Sequence, residues 1–146
     1  MEKKDKILII CIANYCRSPV AEVLLKSLCP AFEVQSAGIF PMTSPAMDPR
    51  SSDYLSKKGF DLNLHIPRKV TKDELKQCKY IFAMDAYVLS QINKIYQNPK
   101  YKLLNFKNPK TSLADPYKFS DSDSYNIVME NIFQSCKLIA HDLNED

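Results

Sequence analysis

No stretch of this 146-residue sequence holds an apolar run long enough to cross a bilayer, so a membrane-spanning role is excluded for its helices. There is no basic block either. The 20 basic and 17 acidic residues leave a net charge of +3 spread along the chain, which argues against a nucleic-acid footprint and requires any bound anion to be met locally. The five cysteines, Cys11, Cys16, Cys29, Cys78 and Cys136, are odd in number and lie mostly in apolar segments, which does not fit a secreted disulfide framework. Residues 1–13 put charge before an apolar run as a signal peptide does, but the run is short, and Asn14 and Arg17 stand where small residues of a cleavage region belong. The expectation is a cytoplasmic protein. No internal repeat or low-complexity tract divides the chain. With 45% hydrophobic residues it is long enough to bury a core, and 1–146 reads as a single domain.

The run Ile7-Leu-Ile-Ile10 before Cys11 is short and continuously apolar, the pattern of a strand buried on both faces, so 6–11 is predicted to be a strand of a parallel sheet. Ser18 and Pro19 read as N-cap and first position of a helix whose stripe is Val20, Ala21, Val23, Leu24, Leu25 and Leu28. A second strand is expected over 33–37, then a helix over 49–58 stopped by Gly59, one of only two glycines. Thr71 with Glu74 forms a capping-box pattern for a short helix, 80–84 reads as a strand, and Asp85 caps a helix running to about Gln97. A fourth strand is expected over 102–106. Tyr125, Val128, Ile132, Cys136, Ile139 and Leu143 recur at three- and four-residue spacings and predict a long closing helix. The stretches 41–49 and 98–123 read as loops. Strands alternating with helices predict an α/β fold, a single three-layer domain with a parallel sheet covered by helices on both faces. Sites in such folds lie beyond the carboxyl ends of strands, where Cys11 falls.

The segment Cys11-Ile12-Ala13-Asn14-Tyr15-Cys16-Arg17-Ser18 sets a thiol, five residues, a guanidinium and a hydroxyl on one turn of backbone leading into a helix. Such a loop can wrap a tetrahedral anion. Successive N–H groups form a concave nest, the helix N-terminus adds its positive end, and Arg17 grips two oxygens in its planar fork. A cysteine facing that nest is held as its thiolate and is poised for in-line attack on bound phosphorus. Ser18 is expected both to cap the helix and to hydrogen-bond the sulfur, and Asn14 to supply left-handed backbone angles. Taken singly, Cys11 also reads as a core thiol and Arg17 as a surface residue. Strand, loop and capped helix in succession favour the site.

The run Ile-Ile-Cys-Ile-Ala-Asn-Tyr-Cys-Arg-Ser-Pro-Val-Ala-Glu, residues 9–22, resembles the signature of the low-molecular-weight protein tyrosine phosphatases. Ser36-Ala37-Gly38, Asp48-Pro49-Arg50, His65 with Arg68, Met84-Asp85 and Asp115-Pro116-Tyr117 follow in that family's order, so the resemblance spans essentially the whole chain. It implies a four-stranded parallel sheet, a phosphate-binding loop after the first strand, a cysteinyl-phosphate intermediate, and no metal or organic cofactor. By the same resemblance Cys11 is the nucleophile, Arg17 the phosphate clamp and Asp115 the general acid and base, with His65 supporting Asn14. Without the cysteine loop, Asp115-Pro116 would read as an ordinary turn. Ile12, Ala13, Asn14, Tyr15, Cys16 and Ser18 are expected around the phosphate. Ile12, Tyr15, Phe40 and Tyr117 are candidates for the walls of the phenol pocket, though Phe40 also fits packing against the sheet edge. The implied partners are tyrosine-phosphorylated proteins, including a bacterial tyrosine kinase, and phosphate or other oxyanions at the site. Cys16, five residues after Cys11 in a loop that turns back, is the candidate redox partner, its alternative being a small apolar residue packed under the loop.

Ala13 stands where most members have glycine, and Tyr15 where aliphatic residues are usual. Lys118 after Tyr117 and the short stretch from Gly38 to Asp48 look bacterial. Three other readings compete on this scaffold. A protein-arginine phosphatase carries threonine at the position of Tyr15, whose bulk obstructs the planar phosphoarginine group. An arsenate reductase needs two further cysteines placed for a disulfide relay, and Cys29, Cys78 and Cys136 are not so placed. A non-catalytic phosphotyrosine- or anion-binding module would lack the nucleophile, the arginine or the acid, and all three residue types are present.

Overall fold

The computed structural model describes residues 3–62 and 64–144. Strand β1 (Lys6–Cys11) lies at the centre of the sheet, and the residues of its apolar run, Ile7 to Ile10, are inaccessible to solvent. Side chains alternate across a strand, so Ile7 and Ile9 enter one core and Leu8 and Ile10 the other. Continuous apolarity therefore means two faces, each covered by helices. β2 (Glu33–Gly38) and β3 (Tyr80–Ala83) flank β1 in parallel, and β4 (Lys102–Leu103) pairs with β3, giving the order β2-β1-β3-β4.

Helices α1 (Ser18–Leu28), α2 (Pro49–Lys57) and α5 (Ser122–Asn144) cover the Ile7/Ile9 face, with Leu24, Leu25, Leu55, Tyr125, Met129 and Ile132 in the larger core. The opposite face is covered by α3 (Lys72–Gln77) and α4 (Ala86–Ile95) through Leu75, Val88 and Ile92. Thr71 and Glu74 close a full capping box on α3, and Gly59 takes φ +85° just after α2. Among the described residues no helix is long and apolar enough to cross a membrane.

The fourth strand is shorter than its apolar run suggests. The expected 102–106 is paired only at Lys102 and Leu103, because the Phe106 amide turns back to the Leu103 carbonyl at 3.0 Å and the Phe106 ring stacks on Phe82. The chain crosses from β1 to β2 on one side and reaches β3 on the other, so the loop after β1 stands where the strand order reverses. That is the crevice where parallel sheets bind ligands.

Candidate active site

Residues 11–17 leave β1 and curl into α1 with every carbonyl turned outward and bonded. The Cys11, Ile12 and Ala13 carbonyls accept from the amides of Ile39, Phe40 and Met42 at 3.2, 2.8 and 2.9 Å. Asn14 accepts from His65 Nε2 at 2.8 Å, Tyr15 from the Asp48 amide at 3.0 Å, Cys16 from Ser51 Oγ at 2.8 Å, and Arg17 from the Ala21 amide at 3.1 Å. With the oxygens fixed outside, the amides face the concave side. Among the described residues, those of Ala13, Tyr15, Cys16 and Arg17 donate to no protein acceptor. Backbone amides are seldom left without an acceptor, so this loop is built to receive several acceptor oxygens.

Two residues make the curl possible. Asn14 has φ +52° and is, among the described residues, the only non-glycine in the left-handed region. Ala13 does not need that region, so alanine fits there. Gly38 on β2 lies against the loop so closely that a Cβ would stand 2.9 Å from the Asn14 nitrogen and the Ile12 oxygen. Here glycine serves close approach.

A polar chain runs behind the sulfur. Asn14 Nδ2 donates to Ser18 Oγ at 2.8 Å and to Ser36 Oγ at 3.0 Å, and its Oδ1 accepts from the Arg68 amide at 3.0 Å, which fixes the amide's orientation. The Ser36 hydroxyl donates to Glu22. Because Ser18 Oγ already accepts from Asn14, its own proton is free for Cys11 Sγ at 3.0 Å, and the Asn14 amide donates to the same sulfur at 3.2 Å. Two donors therefore converge on Cys11 Sγ and hold it at the floor of the loop. Ser18 therefore does not cap the helix as its sequence suggested. Arg17 occupies the N-cap position without a side-chain bond, and Ser18 begins α1 with its hydroxyl committed to the sulfur.

Arg17 is buried, with its Nη1 bonded to Asp85 Oδ2 at 3.0 Å and to the Leu113 carbonyl at 2.8 Å. Nε and Nη2 have no protein acceptor among the described residues and belong to a side chain that lines the cavity. A buried guanidinium with one side tied and the other open presents a fork for two oxygens.

The cavity holds about 180 Å³ and is lined by Cys11, Ile12, Ala13, Tyr15, Cys16, Arg17, Met42, Asp115 and Tyr117. The Tyr15 and Tyr117 rings meet edge to face with centroids 6.0 Å apart, forming an aromatic corner on the cavity wall. Burial raises the Tyr15 pKa, and Asp48 adds to the shift, so this phenol stays protonated at neutral pH. Asp115 is solvent-exposed at the rim, and its Oδ1 accepts from the Tyr117 amide at 3.1 Å.

Residues 6–146 match the family model for low molecular weight phosphotyrosine protein phosphatase. The chain belongs to that family. It is 30% identical over 120 residues to the low molecular weight protein-tyrosine-phosphatase Etp of Escherichia coli K12, covering 81% of each chain. To the phosphatase Ptp of Acinetobacter johnsonii it is 33% identical over 113 residues, covering 77% of this chain and 80% of that one. The crystal structure of the tyrosine phosphatase Wzb from Escherichia coli K30 in complex with sulphate superposes with a TM-score of 0.88 at 29% identity, covering 97% and 99% of the two chains.

Within this phosphatase scaffold the candidate residues fall into three places. Cys11, Ile12, Ala13, Tyr15, Cys16, Arg17, Asp115 and Tyr117 line the cavity. Asn14, Ser18 and His65 stand behind the loop and hold it, Asn14 and Ser18 being fully buried. Phe40 is in neither group. Its amide is spent on the outer side of the loop at the Ile12 carbonyl, and its side chain is 61% exposed, while Met42 lines the cavity instead.

Asp48 and Arg50 carry no site signal in the sequence beyond their motif, and the structure puts them beside Cys16. The Cys16 thiol donates to Asp48 Oδ2 at 3.5 Å, and Arg50 grips the same carboxylate through Nε at 3.0 Å and Nη2 at 2.7 Å. Burial alone would push the Asp48 carboxyl up, but the bonds from Arg50 outweigh it and hold it below the usual range. Burial pushes the Cys16 thiol up to about 12, with Asp48 adding to the shift. Among the described residues no cluster of three His, Cys, Asp or Glu side chains is arranged to hold a metal ion.

Proposed function

We propose that this chain hydrolyses phosphotyrosine in proteins through a cysteinyl-phosphate intermediate, with Cys11 as nucleophile, Arg17 as clamp and Asp115 as general acid and base. The observation that carries the reading is the loop's inside-out hydrogen bonding, with seven carbonyls satisfied outward and amides and the Arg17 fork directed at one cavity with the Cys11 sulfur. In the first step Cys11 Sγ attacks phosphorus, the bond to the tyrosine oxygen breaks, and Asp115 gives that oxygen its proton. Tyrosine leaves. In the second step Asp115 takes a proton from water, the water oxygen bonds phosphorus, and the S–P bond breaks to release phosphate and the Cys11 thiolate. Ser18 and the Asn14 amide stabilise the departing sulfur. Throughout, the Arg17 fork and the loop amides bind the equatorial oxygens, where transition-state charge gathers.

Tyr15 and Tyr117 suit a planar phenol, and the bulk of Tyr15 disfavours the broader phosphoarginine group. Cys29, Cys78 and Cys136 are each at most 1% exposed, which leaves an arsenate relay without the further accessible thiol it needs beyond Cys11 and Cys16. The substrates we propose are tyrosine-phosphorylated proteins, a bacterial tyrosine kinase among them, and the reduced thiols suit the cytoplasm. Turnover of para-nitrophenyl phosphate by wild type, Cys11→Ser and Arg17→Ala tests the mechanism. Each variant should lose more than about a thousandfold in kcat/KM with the thermal melt retained. Substantial turnover by Cys11→Ser would overturn it.

A further inference from the structure

The loop that carries Asp115 needs an anchor, because a general acid works only when its proton stands within hydrogen-bond reach of the leaving oxygen. Asp115 is exposed, and on its N-terminal side the chain is pinned at the Leu113 carbonyl by Arg17 and at the Ser112 carbonyl by Asn131. Beyond Asp115, the hydrogen bonds reaching residues 115–120 from another element come, among the described residues, from one side chain. Arg50 Nη2 donates to the Tyr117 carbonyl at 2.9 Å, and Nη1 to the Phe119 carbonyl at 2.8 Å.

That guanidinium is itself immobilised. It bonds both oxygens of Asp48 and lies 4.2 Å over the Tyr125 ring, so its plane is set from two sides. The chain of contacts is short: the Tyr15 carbonyl accepts from the Asp48 amide, Asp48 holds Arg50, and Arg50 holds the loop of Asp115 and Tyr117.

The geometry points to Arg50 as a positioning residue that fixes the acid loop against the phosphate loop, so that Asp115 meets the leaving oxygen and Tyr117 meets Tyr15. This rests on the reading of Asp115 as general acid. Arg50 lies outside the cavity lining and touches no reacting atom, so its contribution is to proton delivery and not to phosphate binding. Lysine cannot replace it, since a single ammonium cannot span Asp48 and two carbonyls in a plane.

The test is a series of aryl phosphates running from poor to good leaving groups, read as kcat/KM, which covers the steps through departure of the phenol. Arg50→Met keeps the aliphatic stem, and Arg50→Lys keeps the charge. Both should lose about ten- to hundredfold on the poorest leaving group and several-fold or less on the best. In an Asp115→Asn background Arg50→Met should leave the dependence on leaving group unchanged, since no proton remains to be placed. Each ratio is measured within one preparation, so a partly unfolded variant still reports. Equal losses across the series in both Arg50 variants, with Asp115→Asn steepening the dependence, would overturn the role of Arg50 alone. If Asp115→Asn itself leaves the dependence flat, the acid assignment fails, and the positioning role with it.

Discussion

Substituting Gly38 by alanine adds one methyl group where the phosphate loop has no room. The new carbon would stand 2.9 Å from the Asn14 nitrogen, 2.9 Å from the Ile12 oxygen and 3.0 Å from the Ala13 carbonyl carbon. All three are backbone atoms, so no side chain can rotate away. Since non-bonded carbons pack best at about 3.5–4.0 Å, the loop must recede by roughly half an ångström or more. It is pinned on its outer side by bonds to Ile39, Phe40, Met42, His65, Asp48 and Ser51, so the displacement strains several of them at once. Overpacking of this kind costs about 1–3 kcal/mol, and about 2 kcal/mol lowers the melting temperature of a domain this size by roughly 4–8 °C. The activity effect should be larger in proportion. Where a misplacement of about 1 Å costs on the order of a hundredfold, half of that predicts a loss of about tenfold in kcat/KM, together with weaker inorganic phosphate binding by calorimetry. A Gly38→Ala protein with wild-type phosphate affinity and kcat/KM would refute the claim that this close approach sets the nest.

Asp115→Asn should slow phosphotyrosine hydrolysis by about a hundredfold or more in kcat/KM, yet cost far less on an aryl phosphate whose phenol leaves without a proton. Equal losses on both substrates would make Asp115 structural. Tyr15→Thr removes one half of the edge-to-face pair with Tyr117 and opens space beside the phosphate. It should raise the ratio of phosphoarginine to phosphotyrosine hydrolysis by about tenfold, and an unchanged ratio would remove Tyr15 as a specificity determinant.

What could be read from the sequence follows from distance along the chain. The strand, loop and helix at 6–28 are local, and their pattern of buried run, curled segment and Pro19 is complete within that stretch. His65 behind Asn14 was legible only by resemblance, since 51 residues separate them. Ser18 reads from sequence both as a cap, because Ser-Pro before an apolar stripe so often is one, and as a partner of the sulfur, and only the second role is found. What sequence does not show is that the sulfur bond depends on Asn14, oriented in turn by Ser36 and Arg68, which the fold brings to the loop from β2 and the chain before α3. Phe40 looked like a wall because aromatics in loops usually face something. Its amide is held by the Ile12 carbonyl, and Met42, whose amide is held by the Ala13 carbonyl, lines the cavity instead. Arg50 was invisible as an anchor because the carbonyls it holds lie 67 and 69 residues away and carry no side-chain signature.

If Cys16 is the redox partner of Cys11, the surroundings of its thiol set when it can act. Cys11 and Cys16 line the same cavity as free thiols, so capture needs only loop rearrangement. In that role, peroxide would oxidise the Cys11 sulfur to a sulfenic acid. A Cys16 thiolate would then attack that sulfur, forming the disulfide and releasing the hydroxyl, with a proton, as water. The Cys16 thiol is buried and bonded to the Asp48 carboxylate, and burial carries its pKa up to about 12. Its thiolate fraction at neutral pH is therefore far below that of an ordinary exposed thiol. Capture should therefore be slow at pH 7 and quicken by about tenfold per pH unit toward pH 9. Overoxidation of Cys11 competes, so the recoverable fraction after a fixed peroxide dose should rise with pH in wild type and stay low in Cys16→Ser, whose hydroxyl still donates to Asp48 but cannot close a disulfide. The assay is dithiothreitol-recoverable activity across pH 7 to 9, with mass spectrometry of the oxidised chain. Sulfinic acid on Cys11 with no bond to Cys16 at any pH would end the protective role, and recovery that is complete and independent of pH would show that the buried thiol is deprotonated by a route its surroundings do not predict.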